Sequence, residues 1–173
     1  MSGADRATAL VVVVPEAQPL LDAWRRRWDT TPGIPAHVTL LFPFWPAERV
    51  DEALLAELRG FFAGTEPFEV EFRRVGRFDE VAYLAPEPAE PFVALTETLV
   101  ARYPEHPPYG DEGFGGIVPH LTIVNRSPAA LLDEVSAALV HDLPVRTRVS
   151  EATLLEEGED GVWGSRARFP LGG

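Results

Sequence analysis

The short sequence His37-Val-Thr39-Leu returns later in the chain as His120-Leu-Thr122-Ile. In a β-strand, alternate side chains point to opposite faces, so each histidine shares a face with the threonine two residues further on. Because a buried strand packed between helices usually reads as a continuous apolar run, a His-x-Thr face indicates a wet or polar space beside the strand. The sequence therefore predicts two strands that each present a histidine and a threonine to a cleft.

The surroundings of the two motifs repeat as well. Upstream, Pro15-Glu16 matches Pro86-Glu87 in the same order relative to the motif that follows. The shared order of these matches favours an ancient duplication within one domain of 173 residues, with pseudo-repeats at about residues 7–80 and 81–170. We expect two pseudo-symmetric lobes, each a sheet backed by helices, whose polar strand faces look into one cleft.

Hydrophobic periodicity divides the chain into strands and helices, which indicates the α+β class. The predicted strands cover residues 8–14, 36–42, 68–75, 81–85, 117–124, 145–155 and 162–169. The predicted helices cover residues 19–28, 48–62, 91–103 and 128–140. The last helix is expected to begin with Ser127 as its N-cap and proline at the first helical position.

Composition restricts the chemistry. The chain has no cysteine, which excludes disulfides, zinc-thiolate sites and thiol nucleophiles. Its formal charge of −12 argues against a protein that binds nucleic acid over a broad surface, because that mode needs many cations. An anionic substrate must therefore be held locally.

The apolar run at residues 7–14 is the one stretch that could suggest a targeting segment. It is short, lacks a basic leader and stops at Pro15, so we interpret it as a buried strand and not as a signal peptide or membrane span. A cytoplasmic protein without membrane association is expected.

Two histidines facing one phosphate can share acid and base catalysis. An imidazole has an unperturbed pKa of about 6.5, so near neutrality one ring can be neutral while the other carries a proton. His37 and His120 would then deprotonate the attacking oxygen and protonate the leaving oxygen, while the hydroxyls of Thr39 and Thr122 donate hydrogen bonds to the non-bridging oxygens. Which histidine is the acid and which is the base stays open.

A single histidine in a strand is more often a structural hydrogen-bonding residue, but the same tripeptide at equivalent places in both repeats favours the catalytic interpretation. Zinc is a further alternative because histidine is its common ligand. Two histidines are too few ligands for a zinc site, and the chain adds neither a cysteine nor a nearby His-x-x-Glu helix. We therefore expect neither a metal nor another cofactor.

At His37-Val-Thr39-Leu and His120-Leu-Thr122-Ile the chain resembles the 2H phosphoesterase superfamily, which contains the 2′-5′ RNA ligases and RNA 2′,3′-cyclic phosphodiesterases. The resemblance extends over roughly the whole chain. It implies a bilobal, pseudo-two-fold fold of two mostly antiparallel sheets backed by helices around a central cleft. It also implies catalytic roles for the two histidines and phosphate binding by the two threonines. The first motif continues as Leu41-Phe-Pro-Phe-Trp-Pro46, which resembles a divergent branch of the family.

Three further residues are candidates for substrate contact. Phe42 lies just past the first motif and Tyr109 lies in the loop that leads to the second, where either ring could stack on a base. Arg126 follows the second motif closely enough to meet a phosphate. For each of them an ordinary core or surface role is the alternative.

These observations predict a metal-independent phosphodiesterase that acts on a 2′,3′-cyclic phosphate or a related nucleotide or RNA-end phosphoester. The alternatives are 2′-5′ RNA ligation by the same pair of histidines, and a protein on the same fold that binds nucleotides or RNA ends without turnover. The expected partner is a small nucleotide or RNA-end phosphate with no extended nucleic-acid surface, and a monomer is expected.

Overall fold

The computed structural model of the protein describes residues 5–28, 33–106 and 117–172. Its eight strands are β1 (Thr8–Val13), β2 (His37–Leu41), β3 (Phe68–Phe78), β4 (Val81–Glu87), β5 (Leu121–Val124), β6 (Val145–Val149), β7 (Glu151–Glu157) and β8 (Trp163–Pro170). Its α-helices are α1 (Gln18–Trp28), α2 (Glu52–Ala63), α3 (Glu90–Arg102) and α4 (Ala129–Leu139). Single 3-10 turns cover Pro15–Ala17, Ala47–Arg49 and Val140–Asp142.

The strands form two four-stranded sheets. Sheet A has the strand order β2-β1-β7-β8 and sheet B has the order β5-β4-β3-β6. Neighbouring strands within both sheets are antiparallel. The prediction of an α+β fold with two mostly antiparallel sheets backed by helices is therefore confirmed.

The two motif strands occupy matching edges of the two sheets. β2 ends sheet A, β5 ends sheet B, and the two edge strands contact each other. Each is backed by a helix from the other half of the chain, since α3 packs against β2 and α1 packs against β5. The buried hydroxyl of Thr96 on α3 fastens this packing, because it donates a hydrogen bond of 2.9 Å to the carbonyl of Leu40.

The core lies on the helix side of both sheets. One cluster of buried apolar side chains joins the helices to the strands of both sheets. It includes Phe62 of α2 and Phe169 of β8, whose rings stack at 5.5 Å between centroids. The alternation of burial in β2, with Val38 and Leu40 buried and His37 half-buried, leaves the opposite face of the sheet for the cleft.

The predicted single strand at residues 145–155 is wrong. The chain breaks at Ser150 into β6 and β7, which belong to different sheets. The Ser150 carbonyl accepts a hydrogen bond from the amide of Leu171, in register with the β7–β8 pairing that begins at Glu151 and Pro170. Burial alternates along β6 but is continuous from Ala152 to Leu155 in β7, a change of pattern at Ser150 that the single predicted strand overlooked.

Two smaller predictions also need correction. The strand predicted at residues 117–124 pairs only over Leu121–Val124, so His120 immediately precedes β5. Ser127 is not the N-cap of α4: its hydroxyl donates to the carbonyl of Asn125 at 2.9 Å, and the helix begins after Pro128 without a side-chain cap. The turn that sets this geometry contains Arg126 at a φ of 51°.

Neither sheet consists of a single predicted repeat. β3 falls in the repeat at residues 7–80 but joins sheet B, while β7 and β8 fall in the repeat at residues 81–170 but join sheet A. Each sheet therefore contains strands from both predicted repeats. The duplication itself, and the repeat boundaries, stay predictions.

Among the described helices, none has the length and apolar character needed to cross a lipid bilayer.

Candidate active site

The two motif histidines are held in the same way. Nδ1 of His37 lies 2.7 Å from the carbonyl oxygen of Pro35, and Nδ1 of His120 lies 2.9 Å from the carbonyl oxygen of Val118. Since a carbonyl can only accept, each Nδ1 carries the hydrogen. In both rings Nε2 is therefore the nitrogen that exchanges a proton when the ring changes between its neutral and charged forms.

Burial favours the neutral form of both rings. Burial lowers the pKa of His37 most, and the positive charges of His120 and Arg25 lower it further, against an opposing contribution from the Pro35 carbonyl. Burial likewise lowers the pKa of His120, against the Val118 carbonyl. The effect of His120 on His37 means that the two rings lie within electrostatic reach of each other.

The threonines lie on the faces expected for them. In the β1–β2 ladder His37 is opposite Val13 and Thr39 is opposite Val11, and in the β4–β5 ladder Thr122 is opposite Tyr83. Both threonines are half-buried, whereas their apolar neighbours along each strand are buried. β2 therefore presents His37 and Thr39, while β5 presents Thr122 directly after His120, and the two edge strands contact each other.

Two stacked aromatic rings border His120. Phe78 and Tyr83 stack at 4.4 Å, and their centroids lie 5.2 Å and 5.6 Å from that of His120 in edge-on arrangements. Gly76 makes this possible, because a Cβ there would lie 2.2 Å from Cζ of Tyr83. Sequence reasoning missed these rings, although the pairing of Gly76 with Tyr83 across a hairpin is a signal that could have identified the Tyr83 ring.

The corresponding face of sheet A carries a small apolar cluster of its own. Buried Val11 and Leu155 lie in it, with Phe42 and Trp163 packed against them. Phe42 and Trp163 meet edge to face at 6.0 Å between centroids. Because Val11 is opposite Thr39, this cluster lies on the motif face of the sheet. Phe42 is thus beside the candidate site, and Trp163 is an addition that the sequence did not suggest.

The other predicted contacts are less well supported. Arg126 lies exposed in the turn between β5 and α4 and forms no ion pair with a described carboxylate. Tyr109 lies outside the described residues.

Over residues 5–28, 33–106 and 117–172, no group of three imidazole or carboxylate side chains comes together in the manner of metal ligands.

The architecture is that of a two-sheet protein whose contacting edge strands are β2, which begins at His37, and β5, which begins directly after His120. The sequence pattern of the 2′-5′ RNA ligase superfamily matches residues 13–161, and the chain belongs to this family. A protein of Geobacillus kaustophilus, named provisionally as a phosphoesterase, is 29% identical over 94% of this chain and 95% of its own length. A Bacillus pumilus protein with the same provisional name is 28% identical over 94% of this chain and 96% of its own. Family membership and these names support phosphoesterase activity.

Solved structures show the same fold. TT0787 of Thermus thermophilus is 23% identical, with a TM-score of 0.66 over 96% of this chain and 98% of that one. LigT of E. coli in complex with 3′-AMP is 16% identical, with a TM-score of 0.62 over the same shares. LigT in complex with ATP gives a TM-score of 0.63 at 16% identity, over 96% of this chain and 97% of that one. The expected 2H phosphoesterase fold is therefore confirmed.

Proposed function

We propose that this protein is a metal-independent phosphodiesterase that opens a 2′,3′-cyclic phosphate or a related nucleotide or RNA-end phosphoester. The observation that carries the proposal is the matched pair His37 and His120. Each ring has its Nδ1 bound to the carbonyl two residues earlier, and β2, which carries His37, contacts β5, which directly follows His120. Such fixed rings can exchange protons through Nε2 without reorienting.

The reaction needs one proton removed and one delivered. One imidazole takes a proton from water as the water oxygen bonds to phosphorus. The bond from phosphorus to the 2′ or the 3′ oxygen breaks, and the other imidazole, protonated at the start, gives its proton to that leaving oxygen. The hydroxyls of Thr39 and Thr122 donate to the non-bridging oxygens, where negative charge increases in the transition state.

A nucleotide is the substrate class that fits the apolar surroundings. E. coli LigT has been solved with 3′-AMP, ATP and NADP+, which supports a nucleotide ligand on this fold. Phe42, packed against the apolar cluster around Val11, offers a ring on the motif face of sheet A on which a base can stack. Tyr109 and Arg126 remain candidates for base and phosphate contact. Ion pairs with carboxylates occupy many of the other arginines, which supports a small substrate over an extended nucleic-acid track.

A monomer is sufficient for this chemistry, since both histidines come from one chain. We propose that the protein acts as a monomer in the cytoplasm.

The test is a chelator-treated assay of the purified protein with 2′,3′-cyclic nucleotides, linear 2′-5′ dinucleotides and short RNAs with cyclic ends. We expect turnover of a cyclic phosphate that survives the chelator and is lost in both His37→Ala and His120→Ala. His141→Ala provides the control, because His141 is exposed in a 3-10 turn.

The two alternatives give different results in the same assay. Joining of RNA ends to a 2′-5′ product, without hydrolysis, would identify a ligase. Nucleotide affinity with every substrate left intact would identify a binding protein and overturn the proposal.

A further inference from the structure

One face of α1 is fastened to the start of the first motif strand. The side-chain oxygen of Gln18 accepts a hydrogen bond of 2.7 Å from the amide of Ala36, the residue before His37. The side-chain amide of Gln18 also donates to Asp22 at 2.9 Å. Residues spaced by three, four or seven lie on the same side of a helix, so Gln18, Asp22 and Arg25 form one stripe. Arg25 thus belongs to the face of α1 that meets the motif strand.

Arg25 differs from the two arginines that follow it. It is half-buried, and burial lowers its pKa against the opposing charge of Asp22. No described carboxylate lies within ion-pair distance of its guanidinium. Arg26 is exposed, and Arg27 pairs with Glu134 at 2.6 Å. Asp22 offsets only part of the burial of Arg25, and a partly desolvated guanidinium without an ion pair at contact distance would be stabilised by an anionic ligand.

The charge of Arg25 reaches the candidate site. It is one of the charges that lower the pKa of His37, and its helix packs against β5, the strand that follows His120. Arg25 is therefore carried by the element that lies next to both motif strands.

We propose that Arg25 is a further substrate-binding residue, whose guanidinium binds the non-bridging oxygens of the phosphate held between His37 and His120. The inference rests on the proposed function and names a residue that the His-x-Thr motifs do not include. A guanidinium presents several N–H donors in a planar fork that matches phosphate oxygens. Attack by water raises the negative charge on those oxygens, so the interaction strengthens in the transition state.

The variants Arg25→Ala, Arg25→Lys and Arg26→Ala test this assignment in the full-length protein. We expect Arg25→Ala to lower kcat/KM for a 2′,3′-cyclic nucleotide by about 10²- to 10³-fold. Arg25→Lys should recover part of the loss, because lysine keeps the charge without the fork. Arg26→Ala, one residue away and exposed, should match the parent. Arg25→Ala activity equal to that of Arg26→Ala would overturn the inference.

A pH profile separates this role from a merely structural one. Removing the charge of Arg25 should raise the pKa of His37. The limb of the kcat/KM profile that reports the titration of His37 should therefore move to higher pH. Loss of folding alone would scale the profile without moving it. A profile that keeps its position in Arg25→Ala would contradict the assignment.

A binding measurement distinguishes failure of this inference from failure of the proposed function. Titration calorimetry with adenosine 2′-monophosphate should show an affinity that falls at least tenfold in Arg25→Ala and is unchanged in Arg26→Ala. If no substrate is turned over yet this pattern holds, the phosphodiesterase proposal fails and the Arg25 site stands. If turnover occurs and both variants bind like the parent, the Arg25 site fails and the proposed function stands.

Discussion

A proton on His120 disfavours a proton on His37, because the two imidazoles lie within electrostatic reach of each other. Burial acts in the same direction on both rings. The free protein therefore holds both histidines below the ordinary imidazole pKa of about 6.5.

This relationship predicts an acid-shifted activity profile. The rising limb of kcat/KM reports deprotonation of the base and the falling limb reports deprotonation of the acid, and both pKa values are lowered. We expect the maximum below about pH 6.5. The measurement is kcat/KM for a 2′,3′-cyclic nucleotide from pH 4.5 to pH 8.5, roughly two units on either side of that pKa. A maximum above pH 7 would contradict the lowered values.

The two threonines should act through their hydroxyls. Thr39→Ala and Thr122→Ala each remove a hydroxyl that we propose donates to the phosphate, so we expect kcat to fall by about 10²-fold in each variant. Thr39→Ser and Thr122→Ser keep the hydroxyl and should remain close to the parent. Steady-state kinetics of the four variants provides the check, and serine variants as impaired as the alanine variants would indicate a packing role instead.

Gly76 should be intolerant of even one methyl group. A Cβ at this position meets the Tyr83 ring, so Gly76→Ala should displace Tyr83 and disturb its edge contact with His120. We expect kcat to fall roughly 10- to 100-fold, as misplacement of a reacting group does.

The matched control for that change is Gly60→Ala. Nothing lies within 4 Å of a Cβ at Gly60, which is inside α2, so this variant should keep full activity. It should also gain about 0.5–1 kcal/mol in the free energy of unfolding, measured by urea denaturation. Equal activity in the two alanine variants would show that the Tyr83 ring does not orient His120.

The Thr96 hydroxyl should contribute to stability and not to chemistry. Thr96→Val leaves the buried Leu40 carbonyl without this donor and should cost about 1–3 kcal/mol in the free energy of unfolding. Thr98→Val, on the exposed face of the same helix, removes a hydroxyl that bonds only to the Ala94 carbonyl within α3. Its unfolding free energy should stay within about 0.5 kcal/mol of the parent.

Much of the site was readable from the sequence because it is local. The spacing of His37 and Thr39 fixes a shared strand face, and repetition at His120 and Thr122 predicts a second such face. The relationships that the sequence did not reveal depend on tertiary packing. Arg25 is one of three consecutive arginines. It is distinguished from the exposed Arg26 only by the packing of α1 against β5 and by the hydrogen bond between Gln18 of α1 and Ala36.

The change of sheet at Ser150 is only partly visible in the sequence. Burial alternates in β6 and is continuous in the middle of β7, so the pattern changes at this point. A strand pattern records which residues are buried, but it does not record against which sheet they are buried. It therefore does not show that β6 pairs with β3 and β7 with β1.

The mixing of strands from the two predicted repeats within each sheet has a consequence for folding during translation. Sheet B draws its strands from the continuous stretch 68–149, whereas β1, at the start of the chain, waits for β7 near its end. β1 and β2 leave the exit tunnel well before β7, and until then sheet A consists of these two strands alone, a ribbon that by itself is marginally stable in water. A chain that stalls before residue 151 would thus expose the apolar face of that ribbon, and a prematurely terminated product should be degraded or aggregate instead of persisting as half an enzyme.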